Sequence, residues 1–183
     1  MVGNTDDADG RSGIVAVRPP LPDDAAALAL AHVRAWQTAY RGLMPQRYLD
    51  SLVVEERTES WRRRLSNQGN DSQLLVGTID DKVAGFAMFG AARDPESGEA
   101  GELYALNVHP NHWGGGVGSA LLSASHAGLA EFGFLDAVLW VVPGNDRARR
   151  FYERHGWKVE KRERTIELQG VTVPEIRYER RVP

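Results

Sequence analysis

Four glycines fall within five residues, Gly114, Gly115, Gly116 and Gly118. They follow an apolar run that ends at His109-Pro110, and they precede Val117, Leu121 and Leu122, which recur at helical spacing. Glycine permits a tight backbone turn and lets N–H groups approach a ligand with no Cβ in the way. A helix beginning there adds unpaired N–H groups and the positive end of its dipole. A strand stopped by proline, a glycine turn and a helix N-terminus together form an anion site, most naturally one for phosphate. Two phosphate-binding patterns do not fit. A P-loop needs Gly-Lys-Ser/Thr, but Ser119 and Ala120 follow Gly118. The dinucleotide fingerprint needs a glycine where Ser119 or Leu121 stands, depending on which Gly-x-Gly pair is taken.

A third pattern fits. Val108-x-Pro110-x-x-Trp113-x-x-Gly116-x-Gly118 resembles the pyrophosphate loop of the GNAT (GCN5-related) N-acetyltransferases, with Trp113 where that family normally carries Arg or Gln. Asn145-x-x-Ala148-x-x-Phe151-Tyr152-x-x-x-Gly156-Trp157 resembles the family's downstream signature, Asn-x-x-Ala-x-x-Phe-Tyr-x-x-x-Gly-aromatic. It follows the loop by the length of one helix and one strand. Two independent motifs in the right order are far more specific than either alone, and the chain is identified as a member of this family. The resemblance implies acetyl transfer from acetyl-CoA, used as a cosubstrate, to a primary amine of a small molecule or peptide. It implies direct attack in a ternary complex, and the absence of cysteine agrees with that route.

Site residues carry over from the two motifs position by position. The cradle for pyrophosphate is the backbone of Trp113, Gly114, Gly115, Gly116, Val117, Gly118 and Ser119. The pantetheine track is the backbone of Leu106, Asn107 and Val108, and the Val108 N–H is implied to stabilise the oxyanion. Asn145 matches an asparagine that contacts the pantetheine region, and it also suits a helix N-cap. Tyr152 is the candidate acid for the departing thiolate, since a reference pKa of about 10 suits that proton transfer. Glu102 matches a position where many members carry a glutamate base. Period-two alternation puts Glu102, Tyr104 and Leu106 on one face of the strand and Leu103, Ala105 and Asn107 on the other. His109 and His112 are alternative bases. Trp36 and Tyr40, one helical turn apart, are candidate acceptor-binding residues. Trp113 removes a polar side chain that the resemblance places near the phosphates. Arg147, Arg149 or Arg150 are the candidates to supply charge to the coenzyme's other phosphate.

The elements that must position these groups follow from periodicity and breakers. Ile14–Arg18 reads as a strand ended by Pro19-Pro20. Pro22-Asp23-Asp24 begins a helix through Ala25–Tyr40, with an aspartate cap expected and Gly42 at its end. Pro45 opens a second helical region running on to Trp61 and Leu65, whose Arg62-Arg63-Arg64 reads as a solvated face. After a polar loop at Asn67–Ser72, Leu74–Ile79 and Val83–Phe89 form a hairpin about Asp80-Asp81-Lys82. A charged connection over Ala91–Gly101 leads to the central strand and its helix, which ends near Phe132. Ala137–Val142 is a further strand, broken by Pro143-Gly144 before the helix that carries Tyr152. Trp157–Glu167 and Val171–Arg180 form a last hairpin around Gln169-Gly170. The resemblance implies an α/β (α+β) GNAT fold: a central mixed, mostly antiparallel sheet of about seven strands flanked by about four helices and splayed at the central strand.

The 183 residues suit one domain from about Ile14 onward, after a small, polar tail over residues 1–13 expected to be disordered. A net charge of −3 gives no electrostatic case for a nucleic-acid partner. No apolar run approaches the ~20 residues of a membrane span, the N-terminus has no signal-peptide pattern, and a cytoplasmic location is expected. The five histidines show no metal-ligand spacing, so no metal is expected. Two rivals stay open: a protein N-terminal acetyltransferase, and an acyl-CoA-binding regulatory module without catalysis. A homodimer through the final hairpin also stays open.

Overall fold

The computed structural model describes residues 13–67, 72–168 and 170–182. The expected tail, apart from Gly13, lies outside the described residues, as do most of the 67–72 loop and Gln169 of the last turn. Seven strands form one sheet in the order β1-β2-β3-β4-β5-β7-β6. They are β1 (Val15–Arg18), β2 (Ser72–Ile79), β3 (Lys82–Ala91), β4 (Gly101–Val108), β5 (Asp136–Val141), β6 (Lys158–Leu168) and β7 (Val171–Arg181). All neighbours are antiparallel except β4 and β5. The helices are α1 (Ala25–Ala39), α2 (Gln46–Asp50), α3 (Val54–Ser66), α4 (Val117–Glu131) and α5 (Asp146–Arg154). No helix among the described residues is long and apolar enough to cross a membrane.

The sheet is covered on both faces by apolar stripes. Val117, Leu121, Leu122 and Leu129 of α4 pack with Phe89, Leu103, Leu139 and the α5 residue Tyr152 in the largest core cluster. Leu28 and Ala29 of α1 and Trp61 of α3 pack on the other face against Val76 and Phe86. The end of α1 and α2 close a third cluster over Val142, Val171 and Val173. The β2–β3 turn is as tight as its sequence suggests, with Asp80 and Asp81 both at positive φ (47° and 63°), as two-residue hairpin turns require.

Three local expectations are corrected. The second helical region is two helices, because Ser51 turns its hydroxyl onto the Tyr48 carbonyl (2.7 Å), competing with the helical ladder, and Leu52 then buries. Asp24 does not cap α1. Its carboxylate instead accepts from the Leu21 N–H (2.7 Å) and from both terminal nitrogens of Arg18 (2.7 and 2.8 Å). The alternation along β4 is broken by a bulge: Met88 pairs Ala105 and Phe89 pairs Leu103, leaving Tyr104 as an extra residue. Leu106 therefore joins Leu103 and Val108 on the α4 face, opposite Glu102, while Ala105 packs on the α1–α3 face.

The feature that makes the site is the junction of β4 and β5. Only Gly101↔Ala137 and Glu102↔Val138 pair across it. Beyond Glu102 the two strands splay, and among the described residues the β4 backbone from Leu103 to Val108 has no strand partner on that side.

Candidate active site

The split opens into a cavity of about 930 Å³ whose walls include Trp36, Tyr40, Glu102, Leu106, Asn107, Val108, Trp113, Asn145 and Tyr152. At one end stands the glycine turn. Gly114 and Gly116 lie at φ +82° and +86°, the left-handed region in which a side chain would be strained. Gly116 is the N-cap of α4, and no side chain caps that helix end. The first helical bond is Ala120 N–H to Gly116 O (3.0 Å), so the N–H groups of Val117, Gly118 and Ser119 precede the ladder. Gly114, Gly116, Gly118 and Ser119 line the cavity, whereas the Val117 side chain is fully buried in the core. Gly115 is not among the lining residues, and a Cβ there would meet the His112 carbonyl oxygen at 3.3 Å.

His109 donates its N–H to Ala84 of β3 (2.8 Å), and strand alternation then turns the Val108 N–H and C=O to the other edge, into the split. There the Val108 carbonyl accepts from Nε1 of Trp113 (2.8 Å). Trp113 in turn carries the guanidinium of Arg147, 3.9 Å above its ring. Arg147, Arg150 and Arg154 share one side of α5, all line the cavity, and none has an acidic partner among the described residues. Burial and then the charges of Arg154 and Arg150 lower the Arg147 pKa. Arg149 points elsewhere, donating to the Pro143 carbonyl (3.2 Å) and the Tyr178 hydroxyl (3.1 Å).

Asn145 caps α5 by accepting from Ala148 N–H (3.1 Å), and only 8% of it is exposed. Tyr152, on the next turns of the same helix, is equally buried, yet its hydroxyl has no hydrogen-bond partner among the described residues. Burial, and to a lesser degree Tyr40, raises its pKa above the ordinary phenol value. Tyr40 is itself pushed up to about 12 by burial and the charge of Glu175, against a hydrogen bond from Asn145. Its ring lies 4.9 Å from that of Trp36, forming an aromatic wall of the cavity. Phe151 packs against Tyr152 and His155, and a Cβ on Gly118 would meet its ring at 3.5 Å.

Glu102 lies in the wall at the closed end of the split and is 1% exposed. Both its oxygens are bound by Arg93, through the backbone N–H (2.9 Å), Nε (3.3 Å) and Nη2 (2.6 Å). The Arg93 guanidinium also covers the ring of Tyr104 at 4.3 Å. His112 lines the cavity; His109 does not, and its Nδ1 accepts from Asn111 N–H (3.2 Å). Wall residues that escaped the sequence reading include Arg93, Trp140, Arg154, His155, Arg164 and Glu175. Arg164 and Glu175 are direct cross-strand partners, and counting outward from a turn at 169–170 would have paired them. Among the described residues no group of three or more His, Cys, Asp or Glu could hold a metal.

The model of the acetyltransferase (GNAT) family matches residues 33–157. An uncharacterized N-acetyltransferase of Bacillus subtilis, YuaI, is 31% identical over 163 residues, covering 89% of this chain and 91% of the relative. The chain belongs to the GNAT acetyltransferase family. Among solved structures, this acetyltransferase resembles a GCN5-related N-acetyltransferase of Rhodopseudomonas palustris at a TM-score of 0.71 and 22% identity, covering 91% of this chain and 94% of that one. It also resembles the PaiA N-acetyltransferase of Thermoplasma acidophilum, solved in complex with coenzyme A, at a TM-score of 0.66 and 22% identity over 88% of this chain and 98% of that one. The seven-stranded mixed sheet with its split at β4 is the fold of this family.

Proposed function

We propose that this acetyltransferase moves an acetyl group from acetyl-CoA to a primary amine of a small molecule or peptide, by direct attack in a ternary complex. The observation that carries the reading is the single cavity that joins the glycine turn, the unpaired β4 backbone and the Tyr152 hydroxyl. The N–H groups at the start of α4 hold the pyrophosphate, and Arg147 on Trp113 supplies the cation that the loop itself lacks. Leu106, Asn107 and Val108 offer backbone groups to the pantetheine amides, with Asn145 beside them.

In the reaction the amine nitrogen attacks the thioester carbonyl, and the charge developing on its oxygen is met by the Val108 N–H. The C–S bond then breaks, and Tyr152 gives its phenolic proton to the departing thiolate. A raised pKa keeps that phenol protonated until the thiolate forms. The ammonium proton leaves toward Glu102 through water, and Arg93 holds that carboxylate in place in the wall. Trp36 and Tyr40 wall the acceptor side.

The test is calorimetric titration with acetyl-CoA followed by thiol release against a panel of amines and peptides. Binding with amine-dependent release supports the proposal. Binding without release from any acceptor favours a regulatory module, and no binding refutes the donor assignment.

A further inference from the structure

The half of the cavity away from the glycine turn contains two carboxylates, and each already has a guanidinium. Glu102 is held by Arg93, and Glu175 by Nε of Arg164 (2.7 Å). A polycationic acceptor would need carboxylates free to receive its ammonium groups, and these are not free. Counting every charged wall residue, five arginines (Arg93, Arg147, Arg150, Arg154 and Arg164) face two glutamates (Glu102 and Glu175). The cavity as a whole therefore favours anions.

The two arginines of this half differ in what they leave unused. Arg93 commits Nε, Nη2 and its backbone N–H to Glu102. Arg164 commits only Nε. Its guanidinium is fixed 4.1 Å over the Trp140 ring and its side chain is 28% exposed, while Nη1 and Nη2 have no partner among the described residues. Ring and carboxylate hold the guanidinium plane still, and the paired terminal N–H groups form the edge that matches a carboxylate two-to-two. The same cavity wall also carries an apolar group, Trp36, Met44, Ile166, Leu168 and Val173, which pack together in one cluster.

We infer that the acceptor is an amine that carries its own carboxylate on an apolar body, an amino acid or a short peptide with a free C-terminus, and that Arg164 binds that carboxylate. The assignment rests on the acetyl-transfer reading above and names the acceptor class for the same site. Arg164 selects the acceptor, while Trp140 and Glu175 position Arg164.

The experiment measures thiol release from acetyl-CoA with matched acceptors: leucine, methionine, phenylalanine and tryptophan, their primary amides, their decarboxylated amines, and spermidine as a cationic probe. The acids are expected to exceed the amides and amines at least tenfold in kcat/KM. Arg164→Met should collapse the acid-to-amide ratio to about one, and Arg164→Lys should restore part of it. A ratio that survives Arg164→Met, with both acceptors slowed equally, would mean Arg164 only supports the wall and overturns the assignment. Faster turnover of spermidine or of the amides, or no turnover of any acid, overturns it as well. Acetyl-CoA affinity, measured by calorimetry on the same protein, reports separately on the donor reading.

Discussion

Trp113 occupies the glycine turn proposed to hold the pyrophosphate, and the Arg147 guanidinium stacks on that indole. If Arg147 acts on the donor, the two residues must be coupled. A charge-assisted hydrogen bond to phosphate contributes about 1.5–3 kcal/mol, and solvent screening at an exposed arginine argues for the lower end. Arg147→Met should then weaken coenzyme A binding by roughly 10- to 30-fold at low salt, at about 1.4 kcal/mol per factor of ten. Stacking at an exposed site is worth about 0.5–1 kcal/mol, so Trp113→Leu should weaken binding by roughly twofold to fivefold. Trp113→Phe keeps a ring under the guanidinium and loses only the Nε1 bond to Val108, so it should fall between wild type and Trp113→Leu. The double variant Trp113→Leu/Arg147→Met should be little worse than Arg147→Met, leaving a coupling of about 0.5–1 kcal/mol.

The assay is calorimetric Kd for coenzyme A, repeated in higher salt, with KM for acetyl-pantetheine as the phosphate-free control. Added salt should shrink the Arg147→Met effect as the Debye length falls from about 10 Å at 0.1 M to about 3 Å at 1 M. Three results would refute the reasoning: coenzyme A affinity changing less than twofold in Arg147→Met, fully additive single effects, or acetyl-pantetheine losing as much as coenzyme A does. The last would mean that the stack merely holds α5 against the turn.

Tyr152→Phe should slow turnover about 100-fold or more while changing coenzyme A affinity less than threefold, as loss of a general acid would. Because burial raises the Tyr152 pKa, any alkaline decline caused by its ionisation should lie above pH 10, and a wild-type profile falling near pH 8 for that reason would exclude the role. Asp24→Asn, which breaks the two-pronged bond to Arg18, should cost about 1–3 kcal/mol and lower Tm by a few degrees. Pairing with Arg18 holds the Asp24 carboxyl below its ordinary 3.8, so the bond stabilises above about pH 4 and is lost as pH falls through the lowered folded-state value; thermal melts of both proteins should converge there. His126 has a buried Nε2 without a partner among the described residues, and burial, then Arg180 and His155, lower its pKa to about 4. The unfolded chain takes up that proton near pH 6.5, so stability should fall as pH drops from 6.5 toward 4, and His126→Gln should flatten this slope in urea titrations.

Roles played by backbone were legible in this chain, and roles played by side chains were legible only where register could be counted. Gly114 and Gly116 announce left-handed turns, and Pro110 ends β4, because these residues act on the chain's own dihedral angles. The Asp80-Asp81 hairpin could be read for the same reason. Nothing local marks Tyr104 as a bulge, since the extra residue is defined by β3 rather than by β4, and its effect was to move Leu106 to the face opposite Glu102. Glu102 could be named from a motif, but its Arg93 partner lies in a segment readable only as a charged connection. Trp113 and Arg147 are 34 residues apart and meet only because α5 packs beside the turn. Arg164 and Glu175 were within reach of sequence, because a hairpin turning at 169–170 sets them opposite each other. What sequence withheld was that this pair faces the split, which depends on how β5 and β7 are seated beside β4. The candidate donor site, built largely from one strand–turn–helix, therefore shows in a single stretch of chain, while the proposed acceptor site is assembled from four strands and a helix and becomes visible only when the sheet is closed.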